Sequence, residues 1–189
     1  MAARAEAMAD VDRRVLDAAA QLVGERWLEE VTLHAVAERA GVTVPTVLRR
    51  YGSKDALLEA AGQARHERAV GQRIGVAVGD VAGAVRTVID HYEEVGDSVI
   101  RLLAQEPRVP KLQPYMDAGR HEHESWVRRV FEPWLTGRPP AAADALATRL
   151  AAVTDVYVWK LLRRDRGLGR DATEQHVRGL VEALLEARP

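Results

Sequence analysis

Residues 32–54 read TLHAVAERAGVTVPTVLRRYGSK, and no other stretch of the chain restricts its structure so tightly. Thr32 precedes Leu33, Val36, Ala37 and Ala40, four apolar residues on one face of a helix over 33–40, and its hydroxyl suits the N-cap. Gly41 ends that helix, because glycine takes up the left-handed backbone of a helix terminus without strain. Thr43 caps the next helix, 44–51, with Pro45 in its first turn, where a missing N–H costs nothing. Ser53 then caps a fourth helix, with Lys54 and Asp55 in its first turn. Two short helices joined by a tight glycine turn are the geometry that presents the second helix to a DNA major groove.

The rest of the chain reads as helical throughout. Ala, Val and Leu supply most of its apolar mass, and no segment has the alternation of a strand between turns. A first helix over 10–24 carries Val11, Val15, Ala18, Leu22 and Val23, with Asp10 and Asp12 where negative charge suits an N-terminus. Gly24 breaks it, and Trp27 and Leu28 are expected to tuck under the following helix. The fourth helix buries Leu57, Leu58 and Ala61 and is expected to fade across the glycine-rich 71–79. Val81, Val85, Val88, Tyr92, Val95, Val99 and Leu102 repeat at spacings of four and three, which predicts a long helix with one buried stripe. A helix over 114–135 carries Tyr115, Met116, Trp126, Val130, Phe131 and Trp134. After the break TGRPP, residues 141–164 are apolar on more than one side, which suggests a subunit contact. Asp171 and Glu174 have the spacing of a capping box for a last helix over 171–187, with Val177, Leu180, Val181 and Leu184 on its face. The expected fold is all-α, about nine helices, with a small helix-turn-helix domain over 8–60 and a larger helical domain over 61–189.

Several functions are excluded by what is missing. There is no cysteine, so disulfides and thiolate metal sites are ruled out. No run of about 18 apolar residues exists to span a membrane, and residues 1–10 lack the apolar core of a signal peptide. A cytoplasmic location is expected. The formal net charge of −1 argues against a generally sticky nucleic-acid binder. Local charge differs: between Gly41 and Lys54, Arg49, Arg50 and Lys54 face no acid. Phosphate-loop, Rossmann and nucleophile-elbow patterns are absent, so no catalytic residues, cofactor or metal are expected. His121 and His123 stand about 200° apart on a helix and cannot chelate together; a solvated face is the expectation for HEHE.

On the helix over 44–51 the buried face is expected from Val44, Val47, Leu48 and Tyr51. Thr43, Pro45, Thr46, Arg49 and Arg50 point the other way. Hydroxyls and helix N-terminal N–H groups suit phosphate oxygens, and Arg49 or Arg50 suits a guanine edge. Lys54 is placed to hold a phosphate. His34 is expected on the surface. In the second domain His91, Tyr92, Trp126 and Tyr157 are candidates for an apolar site with polar handles, and Arg101 or Asp155 for pairing with a charged ligand.

At these residues the chain resembles the TetR family of transcriptional regulators. The resemblance rests on Thr32, on Ala40-Gly41-Val42-Thr43, on Thr46, on Arg49-Arg50-Tyr51 and on Ser53-Lys54-Asp55-Ala56-Leu57, and it covers residues 11–61; a looser likeness runs from Lys160 to Leu168. Leu48 stands where the family usually has Tyr, and Gly52 where it usually has Pro. The resemblance implies DNA contacts from Thr32, Thr43, Val44, Pro45, Thr46, Arg49, Arg50, Tyr51 and Lys54. With the Tyr hydroxyl missing, Thr46, Arg49 and Lys54 are expected to carry more of the backbone grip. It also implies a homodimer, usually a repressor on a palindromic double-stranded operator, whose helices over 141–164 and 171–187 bundle with their mates. A small apolar or amphipathic effector would bind in the second domain and release the DNA. The alternative is a helical small-molecule-binding protein or enzyme with no DNA-binding function. A catalytic constellation would favour it, and none is present.

Overall fold

The computed structural model describes residues 2–187; residues 188–189, the end of the expected second domain, lie outside the described residues. Every regular element among the described residues is helical. The chain divides into two compact units, Met1–Arg68 and Ala69–Pro189.

The first unit holds α1 (Ala2–Glu25), α2 (Leu33–Ala40), α3 (Val44–Tyr51) and most of α4 (Lys54–Ile74), with a 3-10 turn over Leu28–Glu30. Helix α1 begins well before the expected residue 10. The segment AARAEAMAD contains no breaker, and Ala, Arg, Glu and Met are all strong helix formers. Val15, Ala18, Ala19 and Leu22 of α1 pack on Val36, Ala37 and Ala40 of α2, on Val47 of α3, and on Leu57 and Ala61 of α4. Each fully buried Val or Leu contributes about 1.5–3 kcal/mol. Leu28 is buried as expected, but Trp27 is 47% exposed and does not tuck under α2.

The caps explain the corners. Thr32 Oγ1 accepts from Ala35 N at 3.1 Å. Gly41 has φ +65°, and Val42 N donates back to Ala37 O at 2.9 Å, which closes the turn. Arg14 Nη1 donates to Ala40 O at 2.9 Å, so α1 holds the last carbonyl of α2. Ser53 Oγ accepts from Ala56 N at 3.1 Å. Helix α4 continues through Gly71 and ends at Ile74, inside the stretch 71–79 where it is expected to fade. Each interior glycine, Gly62 and Gly71, costs about 1 kcal/mol against Ala, which the flanking Gln, Ala and Arg residues outweigh.

In the second unit, α5 (Val81–Gln105) starts at Asp80, whose carboxylate accepts from Gly83 N at 2.8 Å. Its predicted stripe is the core: Val85, Val88 and Tyr92 are buried, joined by Ile89. Against it pack Trp126, Val127 and Val130 of α6 (Gln113–Val130), Leu146 and Leu150 of α8 (Pro140–Val153), Val156 and Trp159 of α9 (Val156–Lys160), and Val177 and Val181 of α10 (Arg170–Glu186). Gly96 faces the six-membered ring of Trp159 so closely that a Cβ there would overlap it.

Three expected elements are differently divided. The helix over 114–135 stops at Val130 and restarts as α7 (Glu132–Leu135). Pro133 lacks an N–H, and its ring conflicts with the carbonyl four residues back. The helix over 141–164 breaks at Thr154 and Asp155. Thr154 Oγ1 donates to Leu150 O at 2.7 Å, and Asp155 caps α9 by accepting from Tyr157 N at 2.9 Å. Helix α9 then widens into a π-turn over Leu161–Asp165, closed by Lys160 Nζ on Asp165 at 2.8 and 2.9 Å. The capping box at Asp171 does not form. Helix α10 starts one residue earlier, on Gly169, and Glu174 instead accepts from Arg170 at 2.7 Å and Arg178 at 2.8 Å.

Candidate nucleic-acid interface

Helix α3 turns one edge inward. Val47 is fully buried, while Val44 and Tyr51 are half-buried on either side of it. Leu48, expected on this buried face, is 40% exposed. At about 100° per residue, Leu48 is turned a little over a quarter of a turn from Val47 and shares an arc with Pro45 and Arg49, both exposed. The outward face of α3 is therefore Pro45, Leu48 and Arg49, with exposed Thr43 and half-buried Thr46 at its N-terminal end. Thr43 Oγ1 accepts from Thr46 N at 3.3 Å and lies 2.9 Å from the Thr46 hydroxyl. These hydroxyls cap the helix and mark its N-terminus.

The three basic side chains of the segment do different things. The Arg50 guanidinium pairs with both carboxylate oxygens of Asp12 and donates to Met8 O at 2.8 Å. Tyr51 Oη donates to the same carboxylate at 3.2 Å. These bonds fasten α3 to α1. The Arg50 hydrogen bond holds the Asp12 carboxyl below its usual range. Burial, reinforced by the Asp12 charge, pushes the Tyr51 hydroxyl up to about 12. Lys54 Nζ donates to Leu28 O at 3.0 Å and Glu29 O at 3.5 Å, at the C-terminal side of the 3-10 turn. Arg49 is exposed and, among the described residues, joins no ion pair. Thr32 and His34 are exposed on α2. Local sequence marks Asp12 only as a helix N-terminal charge. Its partner 38 residues away carries no local signal.

Residues 15–61 match the family described as bacterial regulatory proteins, tetR family. The match spans the N-terminal unit, about a quarter of the chain. No curated protein matches it in sequence. Solved structures extend the likeness in fold over almost the whole chain. A tetR-family transcriptional regulator from Streptomyces coelicolor superposes with a TM-score of 0.71 at 19% identity, covering 92% of this chain and 81% of that one. A transcriptional regulator from Rhodococcus sp. Rha1 gives 0.72 at 18% identity, covering 94% and 99%. A protein from Saccharomonospora viridis, assigned as a transcriptional regulator and seen in complex with choline, gives 0.65 at 21% identity, covering 92% and 96%.

In the second unit the four effector candidates fall into two groups. His91, Tyr92 and Trp126 are buried in the second unit, whereas Tyr157 is 57% exposed. The rings of His91 and Tyr92 lie 5.5 Å apart, and Tyr92 lies 6.1 Å from Trp159. Trp126 stacks on His123 at 5.8 Å and meets Phe131 edge-on at 6.4 Å. His123 is buried, not on a solvated face; its Nε2 donates to Ala151 O at 3.2 Å and lies 3.1 Å from the Thr154 hydroxyl. His121, two residues earlier, is exposed, as helical geometry requires. Asp155 serves as the α9 cap. No helix among the described residues is long and apolar enough to cross a membrane.

Proposed function

We propose that the chain is a cytoplasmic, homodimeric repressor that binds a palindromic operator through α3 and leaves it when a small apolar or amphipathic effector binds the second unit. The observation that carries the DNA contact is the outward face of α3: Thr43, Pro45, Thr46, Leu48 and Arg49 stand together and exposed or half-exposed, while Val47 anchors the helix to the core. Arg49 is the base-reading cation of this set, and Thr43, Thr46 and the helix N-terminus grip phosphate. Arg50, Tyr51 and Val44 orient α3, and Lys54 and Thr32 act at the margin of the contact.

Near-neutral net charge makes a single head a weak binder. Two heads spaced by one DNA turn, about 34 Å, multiply the affinity. Exposed Tyr157, Leu161 and Leu180 on α9, its π-turn and α10 supply apolar surface for a second copy. An effector opening the core near His91, Tyr92 and Trp126 would meet buried polar groups, among them His123, which stacks on Trp126. A fold neighbour seen with choline supports a small-molecule effector.

Selection of duplexes from a random DNA pool, followed by affinity measurement at two salt concentrations, tests the DNA contact. The expected product is a palindrome bound with a steep salt slope. Arg49→Ala is expected to lose about 5- to 150-fold in affinity, mostly at one base position. A chain that enriches no sequence is instead a ligand-binding helical protein.

A further inference from the structure

We infer that Leu48 reads sequence, by packing its isobutyl group, with Pro45 one turn before it, against the 5-methyl group of thymine in the major groove. The assignment presupposes that α3 enters a DNA groove. Leu48 is 40% exposed although the core-facing edge of α3, centred on Val47, is only about a quarter of a turn away. It shares the exposed outward arc with Pro45 and Arg49, Pro45 standing between the two. The side chain has no polar atom, so a phosphate oxygen offers it nothing. Along the major-groove edges of the four bases, the one apolar group is the thymine methyl. Pro45 lacks an N–H and extends the same apolar strip, so the strip rejects the amino and carbonyl groups of a cytosine or guanine that it cannot bond. Arg49 follows Leu48 in sequence and diverges from it by about 100°. The two then address neighbouring base pairs, a guanine for the guanidinium and a thymine for Leu48.

The test uses the full chain and the duplex it enriches from a random pool. Each thymine is replaced in turn by deoxyuridine, which keeps the base pair and removes only the methyl group. For the wild type, one replacement per half-site is expected to weaken binding about fourfold, the worth of one buried methyl-sized group. Leu48→Ala is expected to bind the thymine and deoxyuridine duplexes equally, and Leu48→Met to keep most of the discrimination. A wild type indifferent to every replacement overturns the inference. So does a Leu48→Ala variant that retains the full fourfold ratio, because another residue then reads the methyl. If the wild type enriches no duplex, the DNA-binding proposal itself fails and takes the inference with it. That result is distinct, since no affinity exists to compare.

Discussion

Arg49 and Arg50 are adjacent and chemically identical, yet only one is available to a partner. Arg50 is 16% exposed and divided between Asp12 and Met8 O, whereas Arg49 is exposed. The difference follows from a rotation of about 100° per residue around α3. Arg50 should therefore behave as a positioning residue. Arg50→Ala is expected to lower the thermal unfolding temperature of the chain and to weaken binding to all duplexes alike. Arg49→Ala should leave the unfolding temperature unchanged and alter base preference. Scanning calorimetry and a panel of single-base operator variants distinguish the two, and equal behaviour of both variants would refute the division. Lys54 belongs with Arg50 at this scale, because its ammonium is bonded to the carbonyls of Leu28 and Glu29. Lys54→Ala should loosen the 3-10 turn as well as any phosphate contact.

Among the elements, α3 ends through a feature that first looks like a defect. Gly52 stands where the family usually has Pro, but its φ is +76°, in the region open to glycine and strained for any L side chain. Proline, locked near −65°, cannot adopt it. Restoring the family residue with Gly52→Pro is therefore expected to destabilise the chain by roughly 1–3 kcal/mol in a urea titration; unchanged stability would show that the corner rearranges freely. A second junction, between α5 and α9, is built on charge. Glu93 accepts from Trp159 Nε1 at 2.8 Å and from Arg163 at 2.7 and 2.8 Å, and Arg164 pairs with Asp97 at 2.8 Å while covering the Trp159 ring at 4.6 Å. The hydrogen bond from Arg163 holds the Glu93 carboxyl below its usual range. A carboxyl lowered in the folded state contributes stability above its unfolded pKa, and the contribution vanishes as pH falls through the folded value. Glu93→Gln should thus be less stable than the wild type at neutral pH. The gap should close as the pH is taken below about 4. A gap of constant size from pH 7 to pH 3 would refute the ion-pair account.

For the molecule as a whole, the second unit buries its helices around Trp126, Phe131 and Trp159 and still leaves Tyr157, Leu161 and Leu180 between 46% and 57% exposed. Large apolar groups left in water are the place to test for a contact with a second copy. The double variant Leu161→Glu with Leu180→Glu is expected to sediment as one chain where the wild type sediments as two, and to bind an operator half-site as well as the wild type does. Identical sedimentation of the two would refute this surface as a contact between copies. The helical class, the corners at Thr32, Gly41, Thr43 and Ser53, and the α5 stripe were all legible in the amino-acid order, because caps, glycine turns and 3.6-residue periodicity act over a few residues. Other features needed the folded chain. The outward turn of Leu48 depends on which edge of α3 the α1 and α4 side chains leave uncovered. The capture of Arg50 by Asp12 joins groups 38 residues apart. The break at Thr154 and Asp155 arises where a hydroxyl and a carboxylate compete for backbone bonds inside an otherwise continuous apolar pattern. Local bonding thus determined that a recognition-type helix exists, and only packing between distant segments decided which of its side chains face outward.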